Sequence, residues 1–130
     1  MSSDHLAYLK YGAALWNAWR RDNSDEKIVL DGTDLSGMIL TGIDFSNVSL
    51  RNATLHAANL MNADLRGANL SGANLSEADL IAAKLDRAVL TGANLNEADL
   101  RGASMKQIQC READLRGALH VPQRDVDGLT

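Results

Sequence analysis

Apolar residues recur at every fifth position over most of the chain, and this period restricts the backbone more than any other feature. The column begins at Leu30 and ends at Leu115, and 15 of its 18 positions are Leu. The exceptions are Phe45, Met105 and Cys110. An α-helix rotates about 100° per residue, so residues five apart scatter around its axis. A flat strand alternates with a period of two, so successive leucines would point to opposite faces.

Each five-residue unit must therefore contain a bend that returns the next apolar side chain, which we call the centre of the unit, to the interior. Ala lies two residues before most centres, so a short extended segment points both inward and the residue between them, often Asn or Asp, outward. The second residue after the centre is Gly in eight units and Asn in three, which favours a turn with positive φ. At Glu77, Arg87 and Glu97 we expect a second, less demanding turn type. A chain that bends the same way in every unit winds into a solenoid, and we expect every centre to be buried.

These units, of the form A(N/D)LxG, closely resemble those of the pentapeptide-repeat family over residues 28–119. The resemblance implies an all-β solenoid, namely a right-handed quadrilateral β-helix of about 4.5 coils with four units, or 20 residues, in each coil. Segments 70–80 and 90–100 agree at 9 of 11 positions and are offset by this interval, which supports a coil of 20 residues.

An N-terminal capping α-helix is predicted over residues 4–20, where Leu6, Leu9, Trp16 and Trp19 recur at helical spacing. An uncovered solenoid exposes strand edges and leucines, so we expect this helix to cover the top of the first coil. The WNAWR stretch also resembles the helical head of many pentapeptide-repeat proteins from photosynthetic bacteria. The expected divisions are the capping helix and its link at 1–27, the β-helix at 28–119 and a C-terminal tail at 120–130.

The inward positions offer almost no polar groups, whereas an enzyme needs polar groups that converge in a cleft. His5, His56 and His120 lie far apart in sequence, and Cys110 lies in the interior column, where we expect an inert thiol. We therefore expect a non-enzymatic protein with no catalytic residue, no cofactor and no metal site. No apolar run approaches 18 residues and the first residues lack a signal-type apolar region, so we expect a cytoplasmic protein without a membrane partner.

The charge of the chain, −4, argues against direct binding of nucleic acid. The family includes members that mimic DNA and protect gyrase, so a DNA-mimicking inhibitor or protector of a DNA-binding enzyme is the alternative function. Residues 28–119 contain 11 acidic and 8 basic side chains, a net charge of −3. A DNA duplex as long as this rod, roughly 22 Å, carries about 13 charges, so the mimicry is weak.

Outward side chains on one corner of the coil predict a contact surface. Like charges stack there one coil apart, and apolar side chains lie beside them in outward positions. The residues of this candidate surface are Ile39, Met61, Ile81, Glu77, Glu97, Asp79 and Asp99. A divalent cation at this corner is a second alternative, although a flat β-surface provides a poor set of oxygen ligands. The hypothesis is a rigid scaffold for a protein partner, present as a monomer or a weak end-to-end dimer.

Overall fold

A computed structural model describes the backbone of residues 2–121 and the side chains from His5 to Val121. Two helices, α1 (Ser2–Lys10) and α2 (Ala13–Asp22), precede the solenoid. Within the described range the solenoid has no extended strand, because each unit contributes one bridge residue, the residue before its centre. Fifteen parallel bridges join residues 20 apart, so one coil comprises four units.

The four sides of the coil are numbered by their first centres, which are Leu30, Leu35, Leu40 and Phe45 for sides 1 to 4. Stacked coils place these centres in four interior columns. From Leu40 to Met105 the exposure of every centre is 0%. Cys110 is also buried, and burial raises the pKa of its thiol. The expectation that every centre is buried is wrong at Leu115, which is partly exposed because it lies in the last coil.

All eighteen units use a turn with the same left-handed residue. The second residue after each centre has a φ between 57° and 75°, and Glu77, Arg87 and Glu97 have values of 59°, 64° and 61°. The expected second turn type at these three positions is therefore wrong. The N–H of the turn residue bonds to the coil below, as Glu77 N–H does to Asn96 C=O at 2.8 Å, so this inter-coil bond overrides the side-chain preference.

Asn and Asp at the bridge position accept a hydrogen bond from a backbone N–H that has no partner in the hydrogen bonds between coils. The N–H of the residue after the centre has no backbone partner among the described residues, and the side chain two residues earlier accepts from it, as Asn74 Oδ1 does from Ser76 N–H at 3.0 Å. At Arg51 and Lys106, where the bridge residue is Ser, an Asp of the coil above accepts instead. Ten bridge residues form the first arrangement: Asp34, Asp44, Asn59, Asp64, Asn69, Asn74, Asp79, Asn94, Asp99 and Asp114.

The N-terminal segment forms two helices, and the prediction of one helix over 4–20 is wrong. The break lies at Tyr11 and Gly12, where Gly12 adopts a φ of 102° that an L side chain rarely adopts. Gly12 N–H still bonds to Leu9 C=O at 2.9 Å, so α1 is closed before the chain turns into α2. Gly12 therefore allows the chain to change direction between α1 and α2.

Polar side chains of α2 replace the coil that is missing above side 4. In lower coils, the bridge residue of side 4 exchanges backbone hydrogen bonds with the coil above it. In the first coil, Asp44 N–H donates to Asn17 Oδ1 at 2.7 Å, and Asp44 C=O accepts from Trp16 Nε1 at 2.7 Å. Ser46 C=O accepts from Arg20 Nη2 at 2.9 Å. The polar members of the WNAWR stretch thus pair the edge that the solenoid would otherwise expose.

Aromatic contacts hold the two helices together above the core. Trp16 is fully buried and meets Phe45 edge-on, with ring centroids 5.5 Å apart. Trp19 is partly buried and stacks on Tyr8 at 5.2 Å. Leu9 is buried and Leu6 is partly buried against the same core. His5 is buried in this cluster, and its Nε2 lies 3.3 Å from Glu26 Oε2.

Replacing Trp16 with Phe should destabilise the protein by about 2–4 kcal/mol, because Asp44 C=O loses its donor and the smaller ring leaves part of a buried site unfilled. Chemical denaturation followed by circular dichroism measures the change. Leu15→Ala, on the exposed part of the same helix, is the control and should change stability by about 0.5 kcal/mol or less. Equal stability of Trp16→Phe and the wild type would contradict the edge-pairing role of Trp16.

Gly67→Ala should destabilise more than Gly92→Ala, although both glycines have a φ of 69°. A Cβ at Gly67 would clash with Asn47 Oδ1 in the coil above, whereas nothing lies within 4 Å of a Cβ at Gly92. Moving the Asn47 side chain off its rotamer costs about 0.5–1.5 kcal/mol, which is the expected difference in the free energy of unfolding. The difference should vanish in an Asn47→Gly background. If the difference persists in the Asn47→Gly background, the clash with Asn47 is not its cause.

Candidate functional site

The interior of the solenoid leaves no room for a polar site, so candidate sites lie on its sides and ends. Among the described side chains, no group of three or more His, Cys, Asp or Glu residues could hold a metal ion. In the part of the chain that the structure covers, no helix has the length and apolar character needed to cross a membrane.

One Ser–His contact on side 2 was not foreseen from the sequence. The 20-residue register brings His56 Nδ1 to 2.8 Å from Ser76 Oγ. Ser76 Oγ donates its proton to Asn74 Oδ1 at 2.6 Å, and that oxygen also accepts Ser76 N–H, which fixes the amide orientation. Ser76 thus accepts from His56, whereas a base must accept the proton of its nucleophile. The contact is a surface hydrogen bond and does not activate the serine.

Side 3 carries three apolar residues on its outer surface, in two neighbouring columns. Ile39 occupies a bridge position and is 75% exposed. Met61 and Ile81 follow the centres of the next two coils, and the backbone bonds Gly42 N–H to Met61 C=O and Asn62 N–H to Ile81 C=O place them in successive coils. The prediction that both are exposed is wrong, since both are half-buried, as are Ser71 and Ser76 at the same repeat position.

Four acidic side chains lie on or next to this side. The bridge between Asp79 and Asp99 confirms that these carboxylates stack in successive coils. Arg101 donates to Asp99 from Nε and Nη2, the latter at 2.6 Å, and these bonds lower the pKa of Asp99. Among the described side chains, Asp79, Glu77 and Glu97 form no ion pair. Side 3 therefore combines apolar side chains with three carboxylates that form no ion pair among the described residues.

The turn gives no reason for glutamate at 77 and 97. Both residues are exposed and adopt the left-handed conformation, which costs an L residue roughly 1–2 kcal/mol. Glycine at these positions costs about 0.5–1 kcal/mol in chain entropy, so it would be more stable by a few tenths to 1 kcal/mol. The two glutamates are thus explained by neither packing nor backbone conformation.

The sequence contains a signal for surface ion pairs that the sequence analysis missed. In the triplet Asp-Leu-Arg the Arg follows the centre and folds back on the bridge Asp of its own unit. The Nη2–Oδ2 distances are 2.7 Å for Arg66–Asp64, 2.6 Å for Arg101–Asp99 and 2.6 Å for Arg116–Asp114. The short contacts of these three arginines are thus made within their own units, although carboxylates of neighbouring coils also raise the pKa of Arg66 and Arg101.

Comparisons with known proteins agree with the repeat and its register. Residues 29–67, 68–107 and 93–119 match the model of pentapeptide repeats, in eight copies. A pentapeptide repeat protein from the thylakoid lumen of Arabidopsis thaliana is 38% identical, with a TM-score of 0.72 over 79% of this chain and 73% of its own. One from Nostoc PCC 7120 is 31% identical, with a TM-score of 0.70 over 81% of this chain and 86% of its own.

A plasmid-mediated fluoroquinolone resistance protein is 20% identical over 81% of this chain and 67% of its own, with a TM-score of 0.48, which supports no statement about function. No curated protein matches the sequence significantly. The repeat model and the two closely superimposable structures cover well over half of the chain. The chain therefore belongs to the pentapeptide-repeat family.

Proposed function

We propose that this protein is a non-enzymatic, rigid scaffold that binds another protein through side 3. The proposal is supported chiefly by the apolar residues Ile39, Met61 and Ile81, which lie beside three carboxylates that form no ion pair with the described side chains. Apolar area that a solenoid leaves on a flat side is available to a partner without any rearrangement of the backbone. A partner that fits has an apolar patch bordered by basic side chains.

The proposal includes the right-handed winding that the resemblance implies, since the winding determines how the columns of sides 2 and 3 face a partner. It also includes a cytoplasmic location and a monomer or weak end-to-end dimer. The Arabidopsis relative is a protein of the thylakoid lumen, so fractionation of the native host is the direct measurement of location.

The apolar side chains should contribute more to binding than the carboxylates. Fully burying a Met or Ile contributes roughly 1.5–3 kcal/mol, and these partly exposed side chains retain about a third of that for the partner. Exposed charge pairs contribute about 1 kcal/mol or less. Met61→Ser with Ile81→Ser should therefore weaken binding by roughly 5- to 30-fold, whereas Glu77→Gln with Glu97→Gln should weaken it about five-fold or less.

The measurement is quantitative capture of host proteins by the immobilised wild type and both double variants, followed by titration of the captured partner. Serine occurs at the same repeat position in units centred on Leu70 and Leu75, so the fold accepts it. Val89→Ser, an outward apolar residue on side 1, is the matched control and should leave binding unchanged. Loss of binding in the Gln variant, with Met61 and Ile81 tolerating Ser, would reject this account of side 3.

The same variants separate the scaffold from the DNA mimic. A mimic binds its basic partner mainly through charge, so its affinity falls steeply between about 50 and 200 mM salt. For the scaffold, we expect a shallow salt dependence and no inhibition of a topoisomerase. Glu77→Gln with Glu97→Gln should leave the free protein equally or slightly more stable, because like charges no longer lie one coil apart. Steep salt dependence together with topoisomerase inhibition would replace the scaffold by the mimic.

A further inference from the structure

The upper edge of the first coil is paired on side 4 but open on side 2. In the second coil, the side 2 bridge residue Thr54 donates its N–H to Thr33 C=O at 2.9 Å and accepts Leu35 N–H at 2.7 Å. Asp34 holds the same position in the first coil. Its N–H and C=O have no hydrogen-bond partner among residues 5–121, and neither has the C=O of Ser36. This edge therefore presents one donor and two acceptors at strand spacing.

A groove of about 740 Å³ lies against this open edge. Leu6, Leu9 and Tyr11 line it from the N-terminal segment, and Leu35 and Met38 line it from the first coil. Tyr11 is 78% exposed although it belongs to this apolar lining. The groove is thus large enough for two side chains of an extended segment and is bordered by the backbone groups that such a segment would pair.

The groove contains one cation that can pair with an acidic side chain of an occupant. Lys10 lies at the end of α1 and forms no ion pair with the described side chains, whereas the carboxylate of Asp34 accepts Ser36 N–H in its own turn at 3.0 Å. This bond keeps the Asp34 carboxylate charged, so we expect an acidic side chain of the occupant to lie beside Lys10 and away from Asp34. A whole coil of a second copy does not fit, because Trp16, Asn17 and Arg20 already pair the same edge on side 4.

We propose that this groove binds an extended, acidic segment of a partner protein, which adds to side 2 as a parallel strand. The register follows from the coils below: the C=O of segment residue k accepts Asp34 N–H, and the N–H of residue k+2 donates to Asp34 C=O. The side chains of k and k+2 point into the groove, as those of Thr33 and Leu35 point inward below them. The segment therefore carries apolar side chains at k and k+2 and an acidic side chain near Lys10.

This binding site is separate from the surface on side 3. In the groove, backbone groups of the protein pair with backbone groups of the ligand, whereas side 3 offers side chains to its partner. A suitable probe is the acetylated and amidated peptide EADLRG, the sequence of residues 97–102. In the protein itself Leu100 N–H donates to Leu119 C=O at 3.0 Å, which is the bond expected between k+2 and Asp34. The peptide is titrated at millimolar concentration into ¹⁵N-labelled full-length protein.

The expected result is a saturable shift of the Asp34 amide signal and slower hydrogen exchange at that amide. The amides of Thr54 and Asn74 are internal controls, because they occupy the same position in lower coils and bond to Thr33 and Ala53 in the free protein. Their exchange should not change. An Asp34 amide that is unaffected at the highest peptide concentration, or shifts confined to another surface, would overturn the proposal.

N-methylated peptides separate backbone pairing from apolar contact. A methyl group on the Leu nitrogen, residue k+2, removes the bond to Asp34 and should weaken binding by roughly 10-fold. A methyl group on the Asp nitrogen, residue k+1, faces away from the edge and should leave affinity within about two-fold. Equal affinity of the two methylated peptides, or binding of an apolar dye in the groove without binding of the peptide, identifies a small-molecule pocket and overturns strand addition.

Two protein variants complete the test. Lys10→Glu should weaken peptide binding by roughly three- to five-fold, because an exposed charge pair is lost and replaced by repulsion. Met61→Ser with Ile81→Ser should leave peptide binding unchanged, since those residues lie on the outer surface of side 3. Weakening by the side 3 variant, together with no effect of Lys10→Glu, would move the binding site to side 3 and reject the groove.

Discussion

Hydrogen bonds between successive coils determine the position of every other group in this protein. In the inner coils, the N–H groups of the centre and of the turn residue bond to the coil below, and the N–H of the bridge residue bonds to the coil above. Because all three bonds repeat with an offset of about 20 residues, a side chain cannot leave its column without breaking the ladder on its side. The interior leucines fill the space that this ladder encloses, and the outward residues are held in straight columns.

The backbone N–H groups that have no partner in the stacked coils explain the Asn and Asp residues of the repeat. The ladder leaves one N–H over in each unit, directly after the centre, and an Asn or Asp two residues earlier accepts from it. The sequence alone indicates only that these residues are outward and polar. Their role could not be derived from the period of five, because it depends on which donors remain after the coils have stacked. At Arg51 the same donor is satisfied by Asp31 of the coil above, a solution that sequence spacing of five does not reveal.

The sequence predicted the coil because its two periods, five and 20, have direct structural equivalents in the turn and the stacked coil. It failed where the outcome depends on tertiary contacts. Glu77 adopts the glycine-like turn because an inter-coil bond compensates the conformational cost, and Gly12 ends a helix because the chain must redirect α2 onto side 4. Met61 and Ile81 are half-buried, as are other residues at their repeat position, which the outward direction of the side chain alone does not indicate. The stacking of Asp79 on Asp99 could be predicted, since it follows from the 20-residue register.

The sides and the ends of this solenoid present two different kinds of recognition surface. On the sides, most backbone N–H groups are occupied by the ladder or by an Asx side chain, so a partner meets mainly side chains and we expect specificity to depend on residues such as Ile39 and Met61. Those positions tolerate substitution, because neither the turn nor the core uses them. At the upper end the unpaired groups are backbone groups, as at Asp34, and a partner there is recognised by its extended shape and apolar spacing more than by its sequence. The WNAWR stretch shows the same kind of pairing within one chain. Its side chains satisfy the backbone edge of side 4, and the edge that they leave open on side 2 has the same chemical requirements.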